Sequence, residues 1–284
     1  MNRKKIEENV FKVIMRLATA TIIFFLLLIL VSIFIKGLPY LSWEMISSKP
    51  QGGYYFGKGG GILNAIVGSL YLGIGSTILA LLIGLPLALF MNVNLVKNKR
   101  FVNVIRFMLD ILWGIPSIVY GAFGFIVMIY FGIQTSLLSG IITVTLFIIP
   151  IMVRAIDEVL KSVPIGLMEA SFSLGATKTE TAFVVFIRQC LPGIITAILL
   201  SFGRAIGDAA APLFTAGFTD NIPTSLGQPA ATLPLSIFFQ LSSPIPEVRG
   251  RAYASAVVLT LIILIISIIS RYIGNRYNKN KIKF

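Results

Sequence analysis

Six apolar runs, each about long enough to cross a bilayer, follow one another between Leu17 and Ile273, and no other feature restricts the fold so severely. In hydrocarbon a backbone must satisfy its own polar groups, which leaves only helices or a closed barrel. Runs of this length are helical, because a barrel strand needs only about 9–11 residues. The expected fold class is therefore all-α, a polytopic membrane protein with six transmembrane helices. Composition agrees: 56% of residues are hydrophobic and 12% charged, and the mean hydropathy is +0.91.

The spans are predicted at about 17–35, 63–90, 107–131, 137–153, 191–216 and 252–273. A cleaved signal peptide is the competing reading of the first, but its apolar run is longer than a signal core and no A-x-A site follows. Tyr40, Trp43, Tyr54 and Tyr55 fall in the first outer loop, where amphipathic rings favour a membrane interface. In the second span Gly68, Ser69, Gly73, Gly75 and Gly84 permit close approach of neighbouring helices. Pro116 in the third removes a backbone hydrogen bond; the kink is either passive or lines a moving path, and the freed carbonyl is expected to find Ser117 or a neighbouring helix. The fourth span ends at Arg154, Asp157, Glu158 and Lys161.

A net charge of +13 in a soluble protein would suggest nucleic acid, but in a membrane protein basic residues mark the cytoplasmic loops. Eighteen of the 24 Lys and Arg lie in the two tails and in the loops 97–106 and 154–188, against five on the opposite side. Both termini and the loop 154–188 are thus predicted to be cytoplasmic, with no nucleic-acid partner. One cysteine and no histidine leave no metal site and no intrachain disulfide. Gly57-Lys58 is followed by Gly59, so this chain has no phosphate cradle for ATP.

Two segments carry the remaining signal. In the loop 154–188, Leu167, Ala170, Ser171 and Leu174 recur at helical spacing beside Met168 and Phe172, giving an apolar face for a partner, with Gly175 where a C-cap belongs. A solvated connector is the alternative. Within the fifth span, Arg204 and Asp208 stand four apart, on one face if the helix continues. An intramembrane Arg costs about 2.5–3.5 kcal/mol and usually faces a bundle interior or a water-filled cavity. The pair either meets a substrate or neutralises itself, with Gly203 and Gly207 as a packing face. The outer loop 217–250 contains TLPLSIFFQL, apolar enough to lie in the interface or close over a path.

SVPIGLMEASFSLGATKTETAFVVFIRQCLP resembles the EAA loop of ABC-transporter permeases, with Glu169, Ala170 and Ser171 as the triplet and Gly175 as the glycine. Ser171 replaces the second alanine, and Ile187-Arg188 stand where that family usually has Leu-Pro. GRAIGDAAAPLFTAGF is similar to a signature of phosphate-transporter permeases of PstA type, with Asp208 for glutamate and Ala209 for threonine; GIPSIVYGAFG is similar to a second signature. The resemblance covers about 60–276 and implies a MetI-like type I importer permease. It divides the chain into a first helix with its outer loop (1–60), a permease core (61–276) with a coupling loop (154–190), and a basic cytoplasmic tail (277–284).

By that resemblance Arg204, Asp208, Pro116, Ser117 and Tyr120 line the substrate path, while Glu169, Ala170, Ser171 and Gly175 engage an ATPase. It also implies a multi-pass protein of a prokaryotic plasma membrane, non-catalytic itself, that carries phosphate by alternating access. Its partners would be a second permease, two copies of a cytoplasmic ATPase that binds the ATP and Mg, an extracytoplasmic phosphate-binding protein and membrane lipid. Importers of sulfate or molybdate, and a secondary transporter using Asp208 without ATP, are the alternatives.

Overall fold

The computed structural model describes residues 3–51 and 59–278. Tyr54, Tyr55, Gly57, Lys58 and the basic Lys279, Lys281 and Lys283 lie outside them. In chain order the helices are α1 (Arg3–Gly37), α2 (Trp43–Ser47), α3 (Leu63–Leu89), α4 (Lys99–Gly114), α5 (Ser117–Tyr130), α6 (Leu137–Lys161), α7 (Ile165–Ser173), α8 (Lys178–Glu180), α9 (Ile187–Gly207), α10 (Leu233–Leu241) and α11 (Pro246–Asn278). π-helical turns extend α3 (Phe90–Asn94) and join α8 to α9 (Thr181–Phe186). The only strands among the described residues are the two-residue pair β1 (Pro50–Gln51) and β2 (Gly59–Gly60), antiparallel with Pro50 opposite Gly60.

Five helical stretches are long and apolar enough to span a membrane, and α4 with α5 forms a sixth that is bent by 93°. Five of the six expected spans are thus single helices, and the third is a pair of helices broken at Ile115-Pro116 rather than one kinked helix. α4 ends at Gly114 and Pro116 takes the N-cap position of α5, because the residue before a proline is driven out of helical geometry. The fifth span also differs. It begins at Lys178, ahead of the expected Leu191, and ends at Gly207, ahead of Ala216.

The core is centred on α6, packed between α3 and α9. α3 and α6 approach through small residues, as expected: a methyl on Gly75 would lie 2.7 Å from Ile141 Cδ1 and one on Gly84 3.1 Å from Val153 Cγ2. Hydroxyls reinforce the contact, with Ser76 Oγ donating to the Ile141 carbonyl at 3.2 Å and to Leu72 at 2.7 Å. Such bonds replace the hydrophobic driving force that lipid does not supply.

A smaller cluster joins α2, the start of α3, α10 and α11. α10, from the TLPLSIFFQL segment, is part of this packing: Leu233 and Leu235 are fully buried, and the Leu233 N–H donates to Ser69 Oγ at 2.7 Å. Phe238 and Leu241 remain exposed. α1 is different, since most of its apolar stretch is exposed within this chain and only its end, around Ile33, Phe34 and Gly37, packs on α11. Tyr40 and Trp43 are exposed just beyond it.

Candidate functional site

The two signature segments meet. A side chain on Gly121 of α5 would place its Cβ 2.8 Å from the Ala210 carbonyl oxygen and 2.9 Å from that of Ala211, so this glycine lets α5 lie against the turn that follows α9. Gly124 approaches Thr143 and Thr215 in the same way, and Phe125 packs on Phe214 with ring centroids 6.1 Å apart.

Breaking the span at Pro116 frees the Leu112 carbonyl. It accepts from the Ile115 N–H at 3.2 Å and from the Tyr120 hydroxyl at 2.9 Å, so Tyr120 and not Ser117 reaches back across the break. The Tyr120 ring meets Phe147 of α6 edge-on at 5.8 Å between centroids. Arg204 also meets this ring, its guanidinium 5.0 Å from the Phe147 centroid. Phe147 belongs to neither signature and was missed from the sequence, where one more aromatic in an apolar run carries no signal.

Of the two alternatives for Arg204 and Asp208, mutual neutralisation does not occur among the described residues. The helix ends at Gly207, and Asp208 is extended (φ −83°, ψ 128°), with its carboxylate accepting the Ala211 N–H at 2.8 Å. Aspartate favours such caps over a helix interior, and Pro212 stops the helix from resuming. Arg204 is exposed in the single chain and makes no ion pair among the described residues. A guanidinium over a ring spends its face and keeps its in-plane N–H donors for another acceptor. Gly203 has nothing within 4 Å of a would-be side chain, so within this chain it forms no packing face. Asp208, Ser117 and Tyr120 are half-buried and Pro116 is exposed.

The second candidate segment is α7 and its exit. Gly175 adopts φ +82°, its N–H donating to Phe172 O (3.0 Å) and that of Ala176 to Ser171 O (3.2 Å). This is the Schellman closure expected of a glycine at that position. The expected apolar face is divided: Leu167 and Met168 pack inward on the main core, whereas Ile165, Phe172 and Leu174 are exposed beside Glu169 and Ala170. Ser171 is buried and shares a 2.9 Å hydrogen bond with Thr181, a partner that an alanine would lack. Beyond it, Thr177 and Glu180 form a reciprocal capping box. The chain then stays helical through Ile187 and Arg188, and through Leu191-Pro192 beyond them.

One constellation was not foreseen. Asp157, fully buried at the end of α6, receives Arg106 of α4 bidentately (Nε to Oδ2 and Nη2 to Oδ1, both 2.9 Å), Asn92 Nδ2 at 2.8 Å and Arg154 Nη1 at 3.1 Å. Lys161 completes it at 3.2 Å, and Arg154 Nε also meets Asp110 of α4 at 2.7 Å, as an ion pair not aligned for a hydrogen bond. In the sequence these charges read as the solvated end of a span. The signal was their mixed sign at i, i+3 and i, i+4 spacing. No cluster of metal-ligating residues occurs among the described residues.

Long apolar helices packed through small residues mark a multi-pass membrane protein. The chain belongs to the binding-protein-dependent transport system inner membrane components, whose family model matches residues 84–279. It is 32% identical over 271 residues to the phosphate transport system permease protein PstA of Pasteurella multocida (strain Pm70), covering 94% of each chain. It is 30% identical over 262 residues to the probable ABC transporter permease protein YqgI of Bacillus subtilis (strain 168), covering 87% of this chain and 88% of that one. A chain of the inward-facing MetNI methionine ABC transporter superposes with a TM-score of 0.64 at 19% identity, over 76% of this chain and 95% of that one. A chain of a bacterial alginate ABC transporter, solved with a pentasaccharide-bound periplasmic protein, gives 0.66 at 14% identity over 98% and 99%. The fold is that of the MetI-like importer permeases.

Proposed function

We propose that this chain is one of two permease subunits of an ATP-driven inorganic phosphate importer in a prokaryotic plasma membrane, with both termini cytoplasmic. The observation that carries the reading is Arg204: a cation at an apolar helix end, without a carboxylate partner among the described residues, stacked on Phe147 so that its fork of donors stays available. A planar fork of N–H groups matches phosphate oxygens. The names of the PstA relatives support phosphate as the anion, and the positive-inside count supports the orientation.

In this reading an extracytoplasmic binding protein delivers phosphate, and Arg204 attracts it at the interface with the second permease. Pro116, Ser117 and Tyr120 line the path at the break between α4 and α5, and Asp208 shapes the turn beneath Arg204. Two cytoplasmic ATPase subunits, which hold the ATP and Mg, engage the exposed Glu169, Ala170, Ile165 and Leu174 of α7. Ser171 and Gly175 fix that helix to its exit. Closure of the ATPases shifts α7 and rocks the spans by alternating access, and no covalent chemistry falls to this chain.

The test is uptake of labelled phosphate by vesicles containing this chain with its co-purifying ATPase, with sulfate and molybdate as competitors. Arg204→Ala is expected to abolish uptake while the complex still assembles. Normal phosphate uptake by that variant overturns the assignment, and competition by sulfate or molybdate stronger than by unlabelled phosphate reassigns the anion.

A further inference from the structure

The coupling helix and the anion path lie at different levels of the fold, and a continuous series of contacts joins them. α7 follows α6 after only Ser162, Val163 and Pro164, of which Val163 is buried, so the last turn of α6 is fixed closely to α7. That turn carries Lys161, and one turn earlier lies Asp157. From Asp157 the contacts pass to α4 through Arg106, and again through Arg154 to Asp110. α4 ends at the break, where the Leu112 carbonyl holds the Tyr120 hydroxyl, and Tyr120 leans on the ring that carries Arg204.

We propose that Asp157 is the positioning residue that makes the end of α6 and α4 move as one unit, so that displacement of α7 reaches the break and, through the Leu112 carbonyl, Tyr120 and Arg204. The inference rests on the reading above that α7 takes force from an ATPase. A fully buried carboxylate cannot leave its cations singly at little cost, because each departure strands a charge away from water. Both carboxylate oxygens are engaged: Oδ1 by Arg106 and Asn92, Oδ2 by Arg106, Arg154 and Lys161. These partners come from three separate segments, namely the π-helical turn after α3, α4, and α6 itself. The packed cytoplasmic ends are therefore clamped to one another, while the break at Ile115-Pro116 leaves α5 its own hinge. The second π-helical turn touches the first and takes the Ser171 hydrogen bond from α7, which places the clamp between both ends of the coupling segment.

The experiment measures phosphate uptake and ATP hydrolysis together in proteoliposomes holding the assembled transporter. Asp157→Asn keeps the shape and removes the charge. Hydrolysis is expected to stay within about twofold of the parent while phosphate moved per ATP falls about tenfold, within the range of ordinary coupling energies. An unchanged ratio overturns the proposal. Should that variant fail to assemble, Asp110→Asn decides, since Asp110 is half-exposed and its loss leaves Asp157 paired with Arg106. Its ratio is expected to fall by about two- to fivefold, and an unaltered ratio again overturns the proposal. A parent complex that hydrolyses ATP and moves no phosphate defeats the phosphate reading alone; the ratio is then read with sulfate or molybdate as the carried anion.

Discussion

Charge is handled in opposite ways at the end of α6, around Asp157, and beside its middle, where Arg204 meets Phe147. Around Asp157 three cations and an amide converge on one carboxylate with no exposure, and every charge has a counterpart. Around Arg204 no ion pair forms among the described residues: Asp208, four residues on, caps Ala211, and the guanidinium rests on a ring. A satisfied buried charge fixes geometry, because moving any member strands another. An unsatisfied one at the edge of an apolar span has a cost that folding does not recover, and it is retained where something else is to be bound. The sequence spacing suggested the reverse, with Arg204 and Asp208 as the pair and Asp157 as surface.

The sharpest break of this contrast is in stability. Asp157→Ala should lower the unfolding free energy by about 3–5 kcal/mol, since it leaves three cations around an empty site. Arg204→Ala should change it by no more than about 2 kcal/mol, the worth of a cation over an aromatic face, because it strands no opposite charge. Thermal or denaturant unfolding of the detergent-purified complex checks both. Equal losses for the two variants would mean that Arg204 is as structural as Asp157.

Where local chemistry decides, the fold was legible. The small residues of α3 foretold its contact with α6, and Gly175 foretold the end of α7, because only a residue that tolerates positive φ closes a helix that way. Pro116 announced where the third span fails, but the 93° bend depends on what α4 and α5 each pack against. Asp208 was misplaced because a four-residue spacing was read as helix, whereas a glycine before it and a proline four residues after it are stop signals. Phe147 was not legible, and of the partners of Asp157 only Arg154 and Lys161 stand at a readable local spacing. The other partners lie 27 to 65 residues away, and no local period records that.

Two glycines sharpen the contrast at the path end. Gly121→Ala forces a methyl to within 2.9 Å of two carbonyl oxygens, so α5 must move off the turn after α9. Overpacking of that kind costs about 1–3 kcal/mol and should lower both thermal stability and uptake. Gly203→Ala, on the same helix as Arg204 and with open space around it, should instead stabilise by about 0.5–1 kcal/mol through backbone entropy. A loss of assembly with Gly203→Ala would show that a partner subunit packs where this chain leaves room.

The smallest effect tests whether Phe147 serves Arg204 or only the core. A cation over an aromatic face gains about 0.5–2 kcal/mol, depending on how dry the site is. Phe147→Leu keeps the site apolar and removes that attraction, so Arg204 regains rotamer freedom and must be ordered by the anion itself. The expected outcome is a rise in KM for phosphate of about two- to tenfold with the maximal rate little changed. Phe147→Tyr, which keeps the ring, should restore KM even if its hydroxyl disturbs packing against Tyr120. If both variants lower the maximal rate equally and leave KM alone, Phe147 is a packing residue and Arg204 is held by something other than its ring.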